Sequence, residues 1–262
     1  LPPVQIDMES VEYAKLLKVD ILGLITLHII ANAIKIINKK HGLNLSYETI
    51  PSAYNESYEI FSKGDTTGIF QFGSDGMRDI LRQLKPKKLS QLTAIVALYR
   101  PGPMEWIKDY ISGKHGNNMV YLHPKLESIL KKTYGVVVYQ EQVMQISREL
   151  AGFSRGEADT LRKAMGKKIP ELLAEQKEKF IKGCVDNGIE KNLAEKVFSF
   201  IEPFAGYGFN RSHAACYALV ACHTAYLNAH YQAEFMAALL TCLLYTSDSA
   251  DDLLCADLGG RR

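Results

Sequence analysis

The chain has 262 residues, of which 47% are hydrophobic, 23% charged and 10% aromatic. These values are typical of globular proteins and exclude extensive disorder, and the length allows one large domain or two smaller ones. With 31 Lys and Arg against 29 Asp and Glu, the net charge is +2, so a nucleic-acid site would have to come from local clustering of charge. The best candidate for a membrane span, 21–37, contains Gly, His, Asn and Lys, and no membrane span is expected.

The five cysteines form no CxxC pair. Their odd number and the absence of a recognisable signal peptide favour reduced thiols in a cytoplasmic protein over a disulfide framework. A zinc site built from Cys216, Cys222 and His223 would lack a fourth ligand and the usual ligand spacing, so packed thiols are the simpler interpretation.

The predicted elements begin with a strand and are otherwise mostly helices. Residues 17–22 alternate as in a strand that would direct Asp20 away from the core. Thr26 is predicted to cap a helix that ends at Gly42. The β-branched run 134–139 predicts a second short strand, which leads directly into a helical pattern.

Capping signals mark the later helices. Ser154 and Glu157 form the sequence pattern of a capping box, and Pro170 suits the first turn of the next helix. Pro203 is predicted to end a further helix, and a long helix is expected from Ser212 onwards.

The densest basic stretch lies at 162–168 and contains no acid. If these residues end a helix, their charges interact favourably with the helix dipole, and a solvated helix end explains them. The alternative is a cationic clamp for a polyphosphate, which needs several cations or bidentate arginines. The cations of this stretch are Arg162, Lys163, Lys167 and Lys168. A second basic cluster, interpreted as a surface turn or a nonspecific nucleic-acid contact, consists of Arg82, Lys85, Lys87 and Lys88.

The loop 206–213 (GYGFNRSH) combines glycines, aromatic residues and a basic residue directly before a helix. Its glycines permit a close backbone approach or a positive φ. The unpaired first amides of the helix, together with Arg211, would make an anion site, and Tyr207 and Phe209 offer flat faces to a base or sugar. An aromatic plug of the core beside a capped helix accounts for the same pattern. Elsewhere, the prolines at 101 and 103, on either side of a glycine, make a rigid loop that would hold Arg100 in place.

Asp20 is the only acid on the first predicted strand. A carboxylate that projects from a strand beside an apolar core suits Mg²⁺, whereas a strand Asp more commonly pairs with a Lys or caps a turn. A two-metal site needs several carboxylates, and no D-x-D pair lies near Asp20.

Several long stretches, among them LLKVDILGL (16–24) and LAGFSRGEADTLRKAMGKK (150–168), resemble the bacterial DNA polymerase III α subunits, the C-family replicative polymerases. The resemblance covers about 3–241. It implies that 1–25 are the end of a palm domain and that 26–241 form a helical fingers domain, giving a mainly α fold with a short β remnant of the palm. Residues 242–262 do not continue the family pattern, and their resemblance to translated sequencing-adapter DNA predicts a foreign origin.

The resemblance also implies roles for single residues. Asp20 matches one of three catalytic carboxylates that hold Mg²⁺, whereas the other two belong to an upstream D-x-D motif that this chain lacks. Arg162 and Lys163 match the cations that meet the triphosphate of the incoming nucleotide, with Lys163 replacing the usual arginine. Weaker candidates for nucleotide or phosphate binding are Lys167, Lys168, Asn210, Arg211 and His213, where Arg211 replaces the usual lysine. Arg100, held by its rigid loop, is a further candidate.

The activity implied by the resemblance is template-directed DNA synthesis, in which a primer 3′-hydroxyl attacks a deoxynucleoside triphosphate and pyrophosphate leaves, with two Mg²⁺ ions assisting. The implied partners are primer–template DNA, deoxynucleoside triphosphates and, in the complete protein, the sliding clamp and other holoenzyme subunits. Because one carboxylate cannot build a two-metal site, the chain alone is expected to be inactive. The alternative is a noncatalytic helical nucleic-acid-binding module, which gives Asp20 no special role. A hydrolase that uses Glu141 and Glu157 has no supporting residue spacing.

Overall fold

The computed structural model describes residues 7–16, 23–51, 54–116, 119–167, 170–205 and 208–244, without the side chains of residues 8, 9, 12, 167, 205, 243 and 244. Throughout this part of the chain the regular structure is helical, which confirms the predicted mainly α class. The predicted β remnant at 17–22, with Asp20, lies outside the described residues. Among the described helices, none combines the length and the apolar character that crossing a membrane requires.

The α-helices of the described residues vary from 6 to 20 residues in length. The described residues also form two 3₁₀ helices, Pro103–Trp106 and Lys131–Thr133. The α-helices of the described residues are α1 (Met8–Tyr13), α2 (Ile25–His41), α3 (Asn55–Lys63), α4 (Asp75–Leu84), α5 (Leu89–Leu98), α6 (Ile107–Lys114), α7 (Pro124–Leu130), α8 (Gln140–Ala151), α9 (Arg155–Lys167), α10 (Pro170–Asp186), α11 (Lys191–Ala205), α12 (Arg211–His230) and α13 (Gln232–Leu244).

Two hydrophobic clusters of the described residues hold helices α2 to α13 together. The larger one draws on α3 to α12 and contains the fully buried rings of Phe180 and Phe198. The smaller one joins α2, α12 and α13 and contains Ile30 and Phe235, which are also fully buried. Because α12 contributes side chains to both clusters, it links the small one to the large one.

Capping and turn signals in the sequence explain several helix ends. The Ser154 hydroxyl accepts from the Glu157 amide at 3.3 Å, and the Glu157 carboxylate accepts from the Ser154 amide at 2.8 Å. The predicted capping box at the start of α9 is therefore confirmed. As predicted, α10 begins at Pro170, and Gly42 follows the end of α2 with a φ of +66°.

Three predictions of local structure are wrong. Thr26 lies inside α2, because the helix already begins at Ile25. The residue before it, Leu24, is extended and provides no side-chain cap. Pro203 lies inside α11, which continues to Ala205 because buried neighbours keep its last turn packed. The run 134–139 forms no strand among the described residues, since only Tyr139 finds a pairing partner.

That partner is Phe209, and the pair forms a parallel bridge between the segments that precede α8 and α12. The Gln140 amide donates to the Phe209 carbonyl at 3.1 Å, and the Phe209 amide donates to the Val138 carbonyl at 3.4 Å. A Cβ atom on Gly208 would lie 3.1 Å from Cα and 3.2 Å from N of Gln140, so glycine permits this close approach. The bridge therefore sets the first turns of α8 and α12 side by side.

Candidate functional site

A single carboxylate orients the two leading candidates for phosphate binding. Both Nε and Nη2 of Arg162 lie 2.8 Å from Oδ1 of Asp159, and Nζ of Lys163 lies 2.9 Å from Oδ2. The hydrogen bonds from Lys163 and Arg162 lower the pKa of Asp159 below its usual value. With 59% of the Lys163 side chain and 31% of the Arg162 side chain exposed, both cations stay accessible to a ligand.

Arg162 also connects α9 to the Tyr139–Phe209 bridge. Its Nη1 lies 3.5 Å from Oε1 of Gln140, the first residue of α8. The backbone amide of Gln140 donates to the Phe209 carbonyl, so the Arg162 guanidinium contacts a residue that is itself bonded across the Tyr139–Phe209 bridge. The structure thus brings the basic end of α9 to the loop that precedes α12.

The start of α12 is capped by its own side chains and by an acid from α8. Oδ1 of Asn210 accepts from the His213 amide at 2.8 Å, which makes Asn210 the N-cap. The Arg211 amide lies 3.1 and 3.2 Å from the two carboxylate oxygens of Glu141, and Nδ2 of Asn210 donates to Oε1 of Glu141 at 3.0 Å. The expectation of unpaired amides at this helix start is therefore wrong, because the protein's own carboxylate fills the anion position.

Arg100 and His213 surround the ring of Phe209. The Arg100 guanidinium lies 4.5 Å from the centre of the Phe209 ring, and its Nε donates to the Ala97 carbonyl at 2.9 Å. Burial lowers the pKa of Arg100 below its usual value. The His213 ring lies 5.3 Å from Phe209, which packs against the larger cluster. These contacts favour the aromatic plug over an open stacking face at Phe209.

We call the residues gathered around the Tyr139–Phe209 bridge the bridge site. The Arg211 guanidinium completes it, 5.7 Å from the centre of the Tyr139 ring. The side chain of Lys167, and Lys168, Tyr207 and Asp20 as whole residues, lie outside the described residues. The bridge site consists of Arg100, Gln140, Glu141, Asp159, Arg162, Lys163, Phe209, Asn210, Arg211 and His213.

Three members of the bridge site were missed from sequence: Gln140, Glu141 and Asp159. The contacts of Asp159 could have been predicted, since it precedes Arg162 and Lys163 by three and four residues on a predicted helix. The Glu141 carboxylate accepts from the backbone amide of Arg211 across 70 residues of chain, and no local sequence pattern predicts such a contact.

The described residues do not fit a metal site. They contain no group of three or more His, Cys, Asp or Glu able to hold an ion, which includes the surroundings of Cys222 and His223. Both side chains are buried, and burial raises the pKa of Cys222 to about 12 and lowers that of His223. Because Glu141 and Asp159 already bond amides and cations, the expectation of Mg²⁺ rests on Asp20, outside the described part.

Comparison with known proteins shows which family the chain belongs to. Residues 26–188 match the family model described as the bacterial DNA polymerase III alpha subunit finger domain. The chain belongs to this family. Among its relatives is the DNA polymerase III subunit alpha of Halalkalibacterium halodurans, 46% identical over 97% of this chain and 23% of that protein. The proteins of the same name from Pseudomonas aeruginosa and Escherichia coli are 47% and 45% identical over 95% and 92% of this chain.

The resemblance found in the sequence is thereby confirmed. The chain spans less than a quarter of each of these curated relatives, 22% in the Pseudomonas aeruginosa and Escherichia coli proteins. The finger-domain match begins at residue 26, and the described helices α2 to α10 fall within or close to it. The bridge site joins Arg100 after α5 and residues of α8 and α9, all within this finger segment, to 209–213 around the start of α12, which lie beyond the match.

Proposed function

We propose that this finger segment serves a DNA-directed DNA polymerase that adds deoxynucleotides to a primer 3′-hydroxyl on a DNA template and releases pyrophosphate. Membership of the polymerase III alpha family supports the reaction class. In the complete protein, the proposed partners are primer–template DNA, deoxynucleoside triphosphates, the sliding clamp and the other holoenzyme subunits. The proposed location is the cytoplasm.

The part proposed for the bridge site is to bind the triphosphate of the incoming nucleotide. The observation that carries this role is the pair of accessible cations, Arg162 and Lys163, held by the single carboxylate of Asp159. A triphosphate carries several negative charges and competes well against one carboxylate for these groups. The arginine fork suits bidentate contact with phosphate oxygens, and the lysine adds a point charge. Neutralising the outer phosphates in a fixed geometry favours in-line attack at the α-phosphorus.

We further propose that the isolated chain does not polymerise DNA. The described residues offer no carboxylate cluster for Mg²⁺, and Asp20 alone cannot provide a two-metal site. The test is primer extension with Mg²⁺, using a preparation shown to be free of host polymerase. No extension is expected, and Mg²⁺-dependent extension by the chain would contradict the proposal.

The noncatalytic nucleic-acid-binding module remains a second candidate, because the described residues supply accessible cations without a metal-binding group. The two proposals differ at Asp20. In the complete protein, Asp20→Asn should remove most primer extension while the protein stays folded, because it replaces a proposed metal ligand with a neutral amide. Unchanged extension by the Asp20→Asn protein would support the noncatalytic module instead.

A further inference from the structure

A cavity of about 480 Å³ adjoins the bridge site and carries an excess of positive charge. Three separate stretches of chain bring Lys88, Lys131, Lys132 and Arg211 to its lining, whereas Glu141 is the one acid among the lining residues. We call this the basic cavity. Lys88 belongs to the basic cluster at 82–88 that the sequence predicted as a surface turn or a nonspecific nucleic-acid contact.

The cations of the basic cavity are largely free to meet a ligand. Within the described part of the chain, the exposed amines of Lys88 and Lys132 form no ion pair. Lys131 lies 3.2 Å from Glu127 in an exposed pair one helical turn apart, which solvent screens. The Arg211 guanidinium faces the Tyr139 ring. The lining therefore offers positive charge that no described carboxylate neutralises fully.

Hydrogen bonds connect the chain segments around the basic cavity. The Gln142 amide donates to Oγ1 of Thr133 at 2.9 Å and accepts from the Tyr139 amide at 3.0 Å. Nε2 of Gln91 donates to the Tyr134 hydroxyl at 2.7 Å. These bonds link the segment after the 3₁₀ turn Lys131–Thr133 to α5 and the turn itself to α8, so three of the segments around the cavity are held together.

We propose that the basic cavity binds the phosphate groups of a nucleic-acid strand. Lysines act as point charges that attract phosphates without reading base sequence, and three stretches of chain present them to one concavity. Lys88 and Lys132 are not members of the bridge site, so this proposal stands or falls separately from triphosphate binding there. Free polyphosphate shares the same chemistry and is the other source of phosphate that the experiment distinguishes.

The test compares the unmodified chain with the variant Lys88→Ala/Lys132→Ala in binding a fluorescently labelled single strand of about 20 nucleotides. At low salt we expect binding by the variant to be about tenfold weaker, and the slope of log K against log salt concentration to fall by about 1.4. The matched control is Lys39→Ala/Lys196→Ala, which removes the same charge from two exposed lysines that do not line the cavity. The control should bind within about twofold of the unmodified chain.

The same variants are then titrated with inorganic tripolyphosphate, and circular dichroism verifies that each is folded. Loss of strand binding confined to the cavity variant supports the proposal. Strand binding by the cavity variant that equals that of the control overturns it. Loss of tripolyphosphate binding with strand binding retained also overturns it, because the cavity would then take a free polyphosphate.

Discussion

Replacing Gly208 with alanine tests whether the backbone bridge holds the candidate site together. The added Cβ would lie 3.1 Å from Cα of Gln140, 3.2 Å from its N and 3.2 Å from the carbonyl oxygen of Phe204. These are backbone atoms that cannot rotate away, so the loop has to shift. A shift would weaken the Gln140–Phe209 hydrogen bond and move the neighbouring anchor of Arg162.

The expected change in the free energy of unfolding of Gly208→Ala combines two opposing effects. Overpacking of this kind costs about 1–3 kcal/mol, whereas the lower conformational entropy of the unfolded alanine chain returns about 0.4–1 kcal/mol. We therefore expect Gly208→Ala to lower the free energy of unfolding by about 1–2 kcal/mol. Affinity for a deoxynucleoside triphosphate should fall as well, since the bridge positions Asn210 and Arg211.

Urea denaturation followed by circular dichroism measures this change. The control is Gly156→Ala in the exposed first turn of α9, where a Cβ meets no atom within 4 Å. That substitution should stabilise the protein by about 0.5–1 kcal/mol, because it only restricts the unfolded chain. If Gly208→Ala is as stable as the unmodified chain, the close contact at the bridge does not exist as described.

Two further predictions concern carboxylates. Hydrogen bonds from Lys40, and secondarily His41, lower the pKa of Glu234 to about 2, so its contribution to stability is present above pH 4.5 and is lost as the pH falls towards 2. Unfolding at several pH values should show the stability deficit of Glu234→Gln shrinking across this window, and a deficit independent of pH would contradict the assignment. Glu141→Gln keeps an acceptor for the Arg211 amide but removes a charge that competes with phosphates, so triphosphate affinity should rise several-fold in equilibrium dialysis; unchanged or weaker binding would contradict this competition.

Much of the fold could be predicted from local signals in the sequence. The capping box at Ser154 and the stop at Gly42 depend on neighbouring residues, and the structure confirms both. The run 134–139 was misread because strand formation needs a partner segment, and here only Tyr139 meets one. Its valines are buried in the larger cluster instead, which explains their apolar character equally well.

Tertiary contacts explain what the sequence did not predict about the bridge site. The basic residues Arg162 and Lys163 stood out by their density, and the contact of each with Asp159 follows helical spacing. The position of Glu141 at the start of α12 depends instead on the approach of two distant segments, which no short pattern encodes. The sequence therefore identified the cations but not the acid that occupies the predicted anion position.

The origin of residues 242–262 stays a prediction. Helix α13 continues to Leu244, and the buried Cys242 accepts from Nδ2 of Asn32 at 3.6 Å, so the helix passes the boundary expected after Thr241. The 97% share aligned with the Halalkalibacterium halodurans protein likewise includes part of this segment. Remapping the sequencing reads tests a foreign origin, and genomic coverage that runs through the segment would contradict it.

The most direct test of the account measures deoxynucleoside triphosphate binding by the variant Arg162→Ala/Lys163→Ala. Equilibrium dialysis at low salt should show affinity reduced by about tenfold or more relative to the unmodified chain, because both accessible cations are removed. The control variant Lys39→Ala/Lys196→Ala loses the same charge elsewhere and should bind almost as well as the unmodified chain. Equal binding by the Arg162→Ala/Lys163→Ala variant and the unmodified chain would contradict the proposal that these finger cations bind the incoming nucleotide.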